Sequence, residues 1–178
     1  MARRTVEITL TGETPLLMHA FPMATIEGLE KQDAEDQAKV SEYRTPDGKL
    51  YVPGVALQRA LVGGATYSKG KGRASLQRVA AACLFVTPEY LILTPQAYIV
   101  DSRPVVVPAT KGRIIRHRPR FDAWQITAEL EFEDTLLSAT QVRRIVDDTG
   151  RNVGLLDFRP EKRGPYGRFA VIAWNGRG

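Results

Sequence analysis

The sequence predicts an α+β domain with the element order β-α-β-β-α-β, and three observations carry that prediction. Residues 5–11, TVEITLT, alternate strictly, with Val6, Ile8 and Leu10 on one side and Thr5, Glu7, Thr9 and Thr11 on the other. Residues 123–134, AWQITAELEFED, do the same: Trp124, Ile126, Ala128, Leu130 and Phe132 face the acidic row Gln125, Thr127, Glu129, Glu131 and Glu133. A side-chain period of two is the signature of a half-buried strand. The third observation is a pair of helix-spaced segments, one before and one after that second strand.

Taken in order, residues 20–48 are acidic, contain a helix-compatible stretch and end on the turn signal TPDG, so they read as an insertion. YVPGVALQRALVGGA (51–65) places Val55, Leu57, Ala60 and Leu61 at helical spacing after Pro53 and is expected to stop at Gly63-Gly64. TYSKGKGR (66–73) reads as a flexible basic loop, and ASLQRVAAACLF (74–85) as a second helix packed on the first. From Glu89 to Phe121 the chain is β-rich but broken by Pro95, Pro104, Pro108 and Pro119. Proline removes a ladder donor, so this stretch, about 95–121, is expected to be a protruding β-ribbon. Ser138 caps SATQVRRIVDDTG, with Val142, Ile145 and Val146 on one stripe and Gly150 as the expected stop, and GRFAVIAWN (167–175) closes as a strand. With the insertion, second helix and ribbon set aside, the order is that of the ferredoxin-like, or RNA-recognition-motif-like, α+β fold.

A length of 178 residues with 43% hydrophobic content fits one domain, 1–178, able to bury a sizeable core. No run of eighteen apolar residues exists, and the N-terminus lacks the apolar region of a secretory signal. The single cysteine, Cys83, forbids an internal disulfide and fits a reducing compartment, so a cytoplasmic protein without membrane association is expected. Charge is segregated: residues 48–121 hold twelve Lys/Arg against two acids, whereas the rest of the chain is net acidic. That is the electrostatic footprint of a polyanion binder.

The catalytic inventory is thin. Two histidines, His19 and His117, stand without a zinc, thiol or hydrolase motif, and GGATYSKGKGR lacks the spacing of a phosphate loop. Asp33, Asp36 and Asp101 have no metal-ligand spacing. No catalytic residue, metal or cofactor is expected. The binding inventory is richer. On a strand Arg116, Arg118 and Arg120 share one face at about 6.5–7 Å, near the phosphate repeat of an extended single strand. Lys111 and Arg113 continue toward the ribbon tip, with His117 among them as a hydrogen-bonding group. The loop 66–73 adds Lys69, Lys71 and Arg73, and DFRPEKRGPYGRF (157–169) adds Arg159, Lys162, Arg163 and Arg168 with Phe158 and Tyr166 interleaved. Its glycines permit close backbone approach to phosphate, and its aromatics serve either as base-stacking surfaces or as core.

Two of these segments resemble a known family. LYVPGVALQRAL (50–61) is similar to the I-P-G-S-S-L-K-G-A-L-R signature of the RAMP superfamily, the ferredoxin-like backbone subunits of CRISPR effector complexes, through Val52, Pro53, Gly54, Leu57, Ala60 and Leu61. RGPYGRF (163–169) resembles that family's glycine-rich loop before the last strand, and ITLTGETPLLMH its first strand. Where the signature has two serines, a lysine and a last arginine, this chain has Val55, Ala56, Gln58 and Val62. The resemblance implies a binder of single-stranded nucleic acid that assembles side by side as a homo-oligomer or filament. The ribbon at 97–121 would be a thumb pressed between nucleotides, and the acidic segment 24–47 would meet a neighbour's basic face. Compact relatives of this kind suit phage or mobile-element proteins that coat single-stranded DNA in a bacterial, archaeal or phage-infected cell. The expectation is therefore sequence-independent binding, with DNA favoured over RNA. The alternatives are a CRISPR RNA-binding backbone subunit, a metal-independent ribonuclease using His117 or His19, and a structural subunit whose ribbon meets an acidic protein.

Overall fold

The computed structural model describes residues 3–23, 28–70 and 72–177, and among them the chain forms nine strands, four α-helices and two short 3₁₀ turns. In chain order these are β1 (Arg3–Gly12), β2 (Leu16–Leu17), α1 (Ala34–Val40), β3 (Tyr51–Pro53), α2 (Gly54–Gly64), α3 (Gln77–Cys83), β4 (Leu84–Thr87), β5 (Tyr90–Ile92), β6 (Ile99–Val106), β7 (Arg113–Phe121), β8 (Gln125–Glu133), α4 (Ala139–Asn152) and β9 (Phe169–Arg177).

The main sheet has the order β4-β8-β1-β9, with every neighbouring pair antiparallel. With α2 and α4 as its crossovers the chain is β1-α2-β4-β8-α4-β9, a ferredoxin-like α+β fold. The apolar rows of the sequence point inward as expected: Val6, Ile8 and Leu10 on β1 and Ile126, Ala128, Leu130 and Phe132 on β8 are all buried beside Leu57 and Leu61 of α2 and Val142, Ile145 and Val146 of α4. Ser138 caps α4 by accepting from the Gln141 amide, while Gln141 reaches back to the Ser138 amide, a reciprocal capping box.

Three elements depart from the sequence reading. The second core strand is Leu84–Thr87, whose first two residues continue the apolar run AAAC without a turn signal and so read as helix. Pairing with Leu130 and Phe132 of β8 settles their conformation, a tertiary effect that no local pattern encodes. Residues 90–92 pair instead with Tyr51–Pro53 in a separate two-stranded sheet. Finally, α4 runs through Gly150 and ends when Gly154, at φ +73°, donates to the Thr149 carbonyl.

Gly150 serves packing: a Cβ there would overlap the backbone carbonyl of Phe169 on β9. Gly150→Ala tests this by sign. Helix propensity alone would stabilise the variant by about 1 kcal/mol, whereas overpacking against backbone costs about 1–3 kcal/mol. A lowered urea midpoint is the expected result; a raised one would contradict the packing.

The predicted ribbon is β6 and β7, antiparallel and joined at its base to β2. The acidic segment packs on it from residue 28 onward, its residues 24–27 lying outside the described ones. Asp33 caps α1 by accepting from the Asp36 amide, α1 lies against β6 and β7, and the Tyr98 hydroxyl donates to Glu42 at 2.6 Å. Burial, and then the Glu42 carboxylate, push the Tyr98 phenol well above its ordinary range. The segment thus braces its own ribbon. Among the described residues no helix is long and apolar enough to cross a membrane.

Candidate nucleic-acid interface

The ribbon's faces follow from its register: Asp101 opposes Arg118, Arg103 opposes Arg116 and Ile99 opposes Arg120. Arg116, Arg118 and Arg120 therefore do share a face, but it also carries Asp101 and turns its inner end to the body. Arg118 is buried, donates to Asp157 and lies 4.0 Å from Asp101. Arg120 pairs with Asp122 at 2.7 Å and Asp101 at 3.6 Å, and Arg103 grips Asp101 through two bonds. The sequence expectation of three equivalent phosphate contacts is corrected here. Arg118 is an interior cation that ties the ribbon to the 157 loop, because its two carboxylates come from 17 and 39 residues away. Its Nε has no partner among the described residues.

The distal half of the ribbon stays open. Arg116 is half-buried and Arg113, Lys111 and Gly112 are exposed, with Lys111 left-handed at the tip, its amide donating to the Val107 carbonyl. On the other face the His117 Nδ1 lies 2.7 Å from the Ser102 hydroxyl. Beyond it Val106 (57% exposed) and Ile115 (61%) show uncovered apolar side chains.

The C-terminal loop folds on itself. Gly167, at φ +72°, leaves no room for a Cβ against the Leu155 carbonyl, and a Cβ on Gly164 would overlap the Phe158 carbonyl. These glycines serve close approach of the loop to its own backbone. Leu156, Phe158 and Arg163 also sit in the left-handed region, each at a cost of about 1–3 kcal/mol. Tyr166 is buried beneath Arg103, 4.8 Å from its ring centroid, and bonded to it through the hydroxyl, so it belongs to the ribbon's base and has no face for a base. Arg168 pairs with Glu13 at 3.5 Å. Arg159 binds Glu161 and the Leu156 carbonyl, while Lys162 and Arg163 are exposed. Lys69 and Arg73 are exposed on a loop anchored by the Ser68 hydroxyl, which donates to Asp148 of α4; Lys71 lies outside the described residues.

What the sequence did not reveal is a cleft of about 780 Å³ between the start of α2 and this loop. The Gly54 amide donates to the Glu89 carbonyl at 2.7 Å, and a Cβ on Gly54 would lie 2.5 Å from the Pro88 carbonyl oxygen, so glycine is required where α2 begins. The helix then presents Val55, Ala56 and Arg59 to one wall; Leu156, Asp157, Arg159 and Lys162 form the other, and His19, Tyr43 and Tyr51 the floor and side. The His19 Nδ1 lies 3.5 Å from Asp157. Burial raises the Asp157 carboxyl, but the bonds from His19 and Arg118 and their charges outweigh it and hold it down to about 2. Burial, and then Asp157, raise the Tyr43 phenol. Arg59 and Lys162 carry no ion pair among the described residues. The open face of the main sheet, by contrast, carries Glu7, Glu129, Glu131 and Glu133, with Arg3 paired to Glu131. Among the described residues no group of three potential ligands is placed to hold a metal; Asp33 is spent as a cap and Asp101 on arginines.

No family model and no curated protein matches this sequence. Among solved structures the chain is similar to one in "Cryo-EM structure of the Type III-B Cmr-beta bound to cognate target RNA", with a TM-score of 0.57 and 10% identity. The match covers 98% of this chain and 60% of that one, so this chain spans less than two thirds of its length. At that identity the likeness is one of fold.

Proposed function

We propose that the protein binds single-stranded nucleic acid, without sequence preference, along a path from the cleft to the outer half of the ribbon. The observation that carries this is a set of cations without an ion pair among the described residues: Arg59 and Lys162 line the cleft, and Arg113 and Arg116 stand on opposite faces of the outer half of the ribbon. Phosphate neutralisation by such cations supplies affinity, and the tyrosines supply sequence-tolerant surface. The fold likeness to a chain from an RNA-bound complex supports a nucleic-acid ligand and a RAMP-like role. Side-by-side assembly through the ribbon, with its exposed Val106 and Ile115, completes the proposal; binding rather than catalysis is its activity, and a phage or mobile-element setting with single-stranded DNA as ligand is the version we favour. The test is fluorescence anisotropy with ten-residue DNA, RNA and duplex. Single strands are expected to bind more tightly than duplex, with log affinity falling linearly against log salt. Binding unchanged in molar salt would contradict it.

The His19–Asp157 pair favours a second reading, a metal-independent ribonuclease. An imidazole oriented by a carboxylate, beside Arg159 and Lys162, is the arrangement that takes a proton from a ribose 2′-hydroxyl and stabilises the resulting phosphorane. Cleavage of labelled RNA that His19→Ala abolishes would establish it; intact RNA throughout leaves the binder.

A further inference from the structure

We infer that the cleft is a base-capture subsite: one nucleotide of the bound strand leaves the stack and lays its base on Tyr51 and Tyr43, while Arg59 and Lys162 hold its phosphate. This rests on the function proposed above and specifies what the cleft does within it. Three rings form a continuous row, Tyr43 to Tyr51 at 5.8 Å and Tyr51 to Tyr90 at 4.7 Å between centroids, the second pair edge-on. Tyr90 belongs to β5 and Tyr51 to β3, and their strands pair through Tyr51 with Ile92 and Pro53 with Tyr90. Tyr51 is thereby fixed from behind by a neighbour that does not line the cleft, while Tyr51 and Tyr43 do line it. A ring held in place before binding loses little freedom on stacking, so its contact energy goes into affinity.

The remaining lining mixes apolar surface with balanced charge, Glu89, Asp157 and Glu161 standing beside Arg59, Arg159 and Lys162. A volume of about 780 Å³ lies in the range of about 300–1,000 Å³ that holds compact organic ligands. Val55, Ala56 and Leu156 offer apolar surface to a base plane, and the cations stand beside them on the first turns of α2 and on the loop. Arg159, also present, is neutralised by Glu161 at 2.6 Å, which leaves Arg59 and Lys162 for the phosphate. Stacking on a tyrosine reads only the π-face, so the subsite accepts any base.

The test compares a ten-residue thymidine strand with a ten-residue abasic deoxyribose-phosphate strand, which has the same charge. Wild type is expected to bind the base-bearing strand about tenfold more tightly. Tyr51→Leu should bind both strands alike, at the wild-type affinity for the abasic one, and Tyr51→Phe should keep the preference. Equal binding of the two strands by wild type would overturn the base-capture role and leave the proposed function standing, as would a preference that survives in Tyr51→Leu. Failure of wild type to bind either strand would overturn both.

Discussion

Arg118→Ala is expected to lower stability by about 3 kcal/mol, near the low end of the 3–5 kcal/mol typical when one partner of a buried ion pair is removed. The side chain is 7% exposed and stands between Asp157 and Asp101. Its loss leaves Asp157 with His19 and the Phe158 amide, while Asp101 keeps Arg103 and Arg120, which is why the loss falls at the lower end. Exposed Arg113→Ala should change stability by no more than about 0.5 kcal/mol. Urea titrations of the two variants separate an interior cation from a surface one; equal midpoints would contradict the assignment of Arg118 to the interior. The same pair has a pH consequence. The Asp157 carboxyl is depressed in the folded protein to about 2, from an ordinary 3.8. Its contribution, about 1–2 kcal/mol after allowance for partial exposure, is present above pH 4 to 5 and lost as the pH falls toward 2. Asp157→Asn should flatten the acid limb of the stability curve in that window.

Removing the four unpaired cations together, Arg59→Gln, Arg113→Gln, Arg116→Gln and Lys162→Gln, is expected to weaken single-strand binding by about 10²–10³-fold near 0.1 M salt and to make the salt slope shallower by about 3, since each neutralised phosphate contributes about 0.7 to that slope. Arg3→Gln, on the acidic sheet face beside Glu131, should leave affinity within about twofold. An unchanged slope in the quadruple variant would show that other cations carry the ligand.

Much of the framework is legible in the sequence because its signals are local. The alternation of β1 and β8, the Ser138–Gln141 capping box and the prolines of the ribbon each act within a few residues. The candidate site is legible only in part, because what decides a cation's role is a partner elsewhere in the chain. Arg116 and Arg118 are indistinguishable as sequence; Asp157 makes one of them interior and leaves the other half-buried without an ion pair. Tyr166 sits in a motif suited to stacking, yet Arg103 covers it. Conversely, His19, Tyr43 and the pair Tyr51 and Arg59 come from three separate segments, and only the fold brings them to one cleft with the 154–162 loop. The Pro53-Gly54 step was the available signal, since a glycine at a helix start marks a place where another backbone comes close.

The central claim is the location of the ligand, and photo-crosslinking tests it most directly. A single strand carrying 5-bromodeoxyuridine or 4-thiouridine is irradiated in complex with the full chain and the attachment sites are read by mass spectrometry. The account predicts crosslinks at Tyr43, Tyr51 and the outer ribbon around Arg113–Ile115; crosslinks confined to the open sheet face, at Phe85, Thr127 or Ile172, would contradict it.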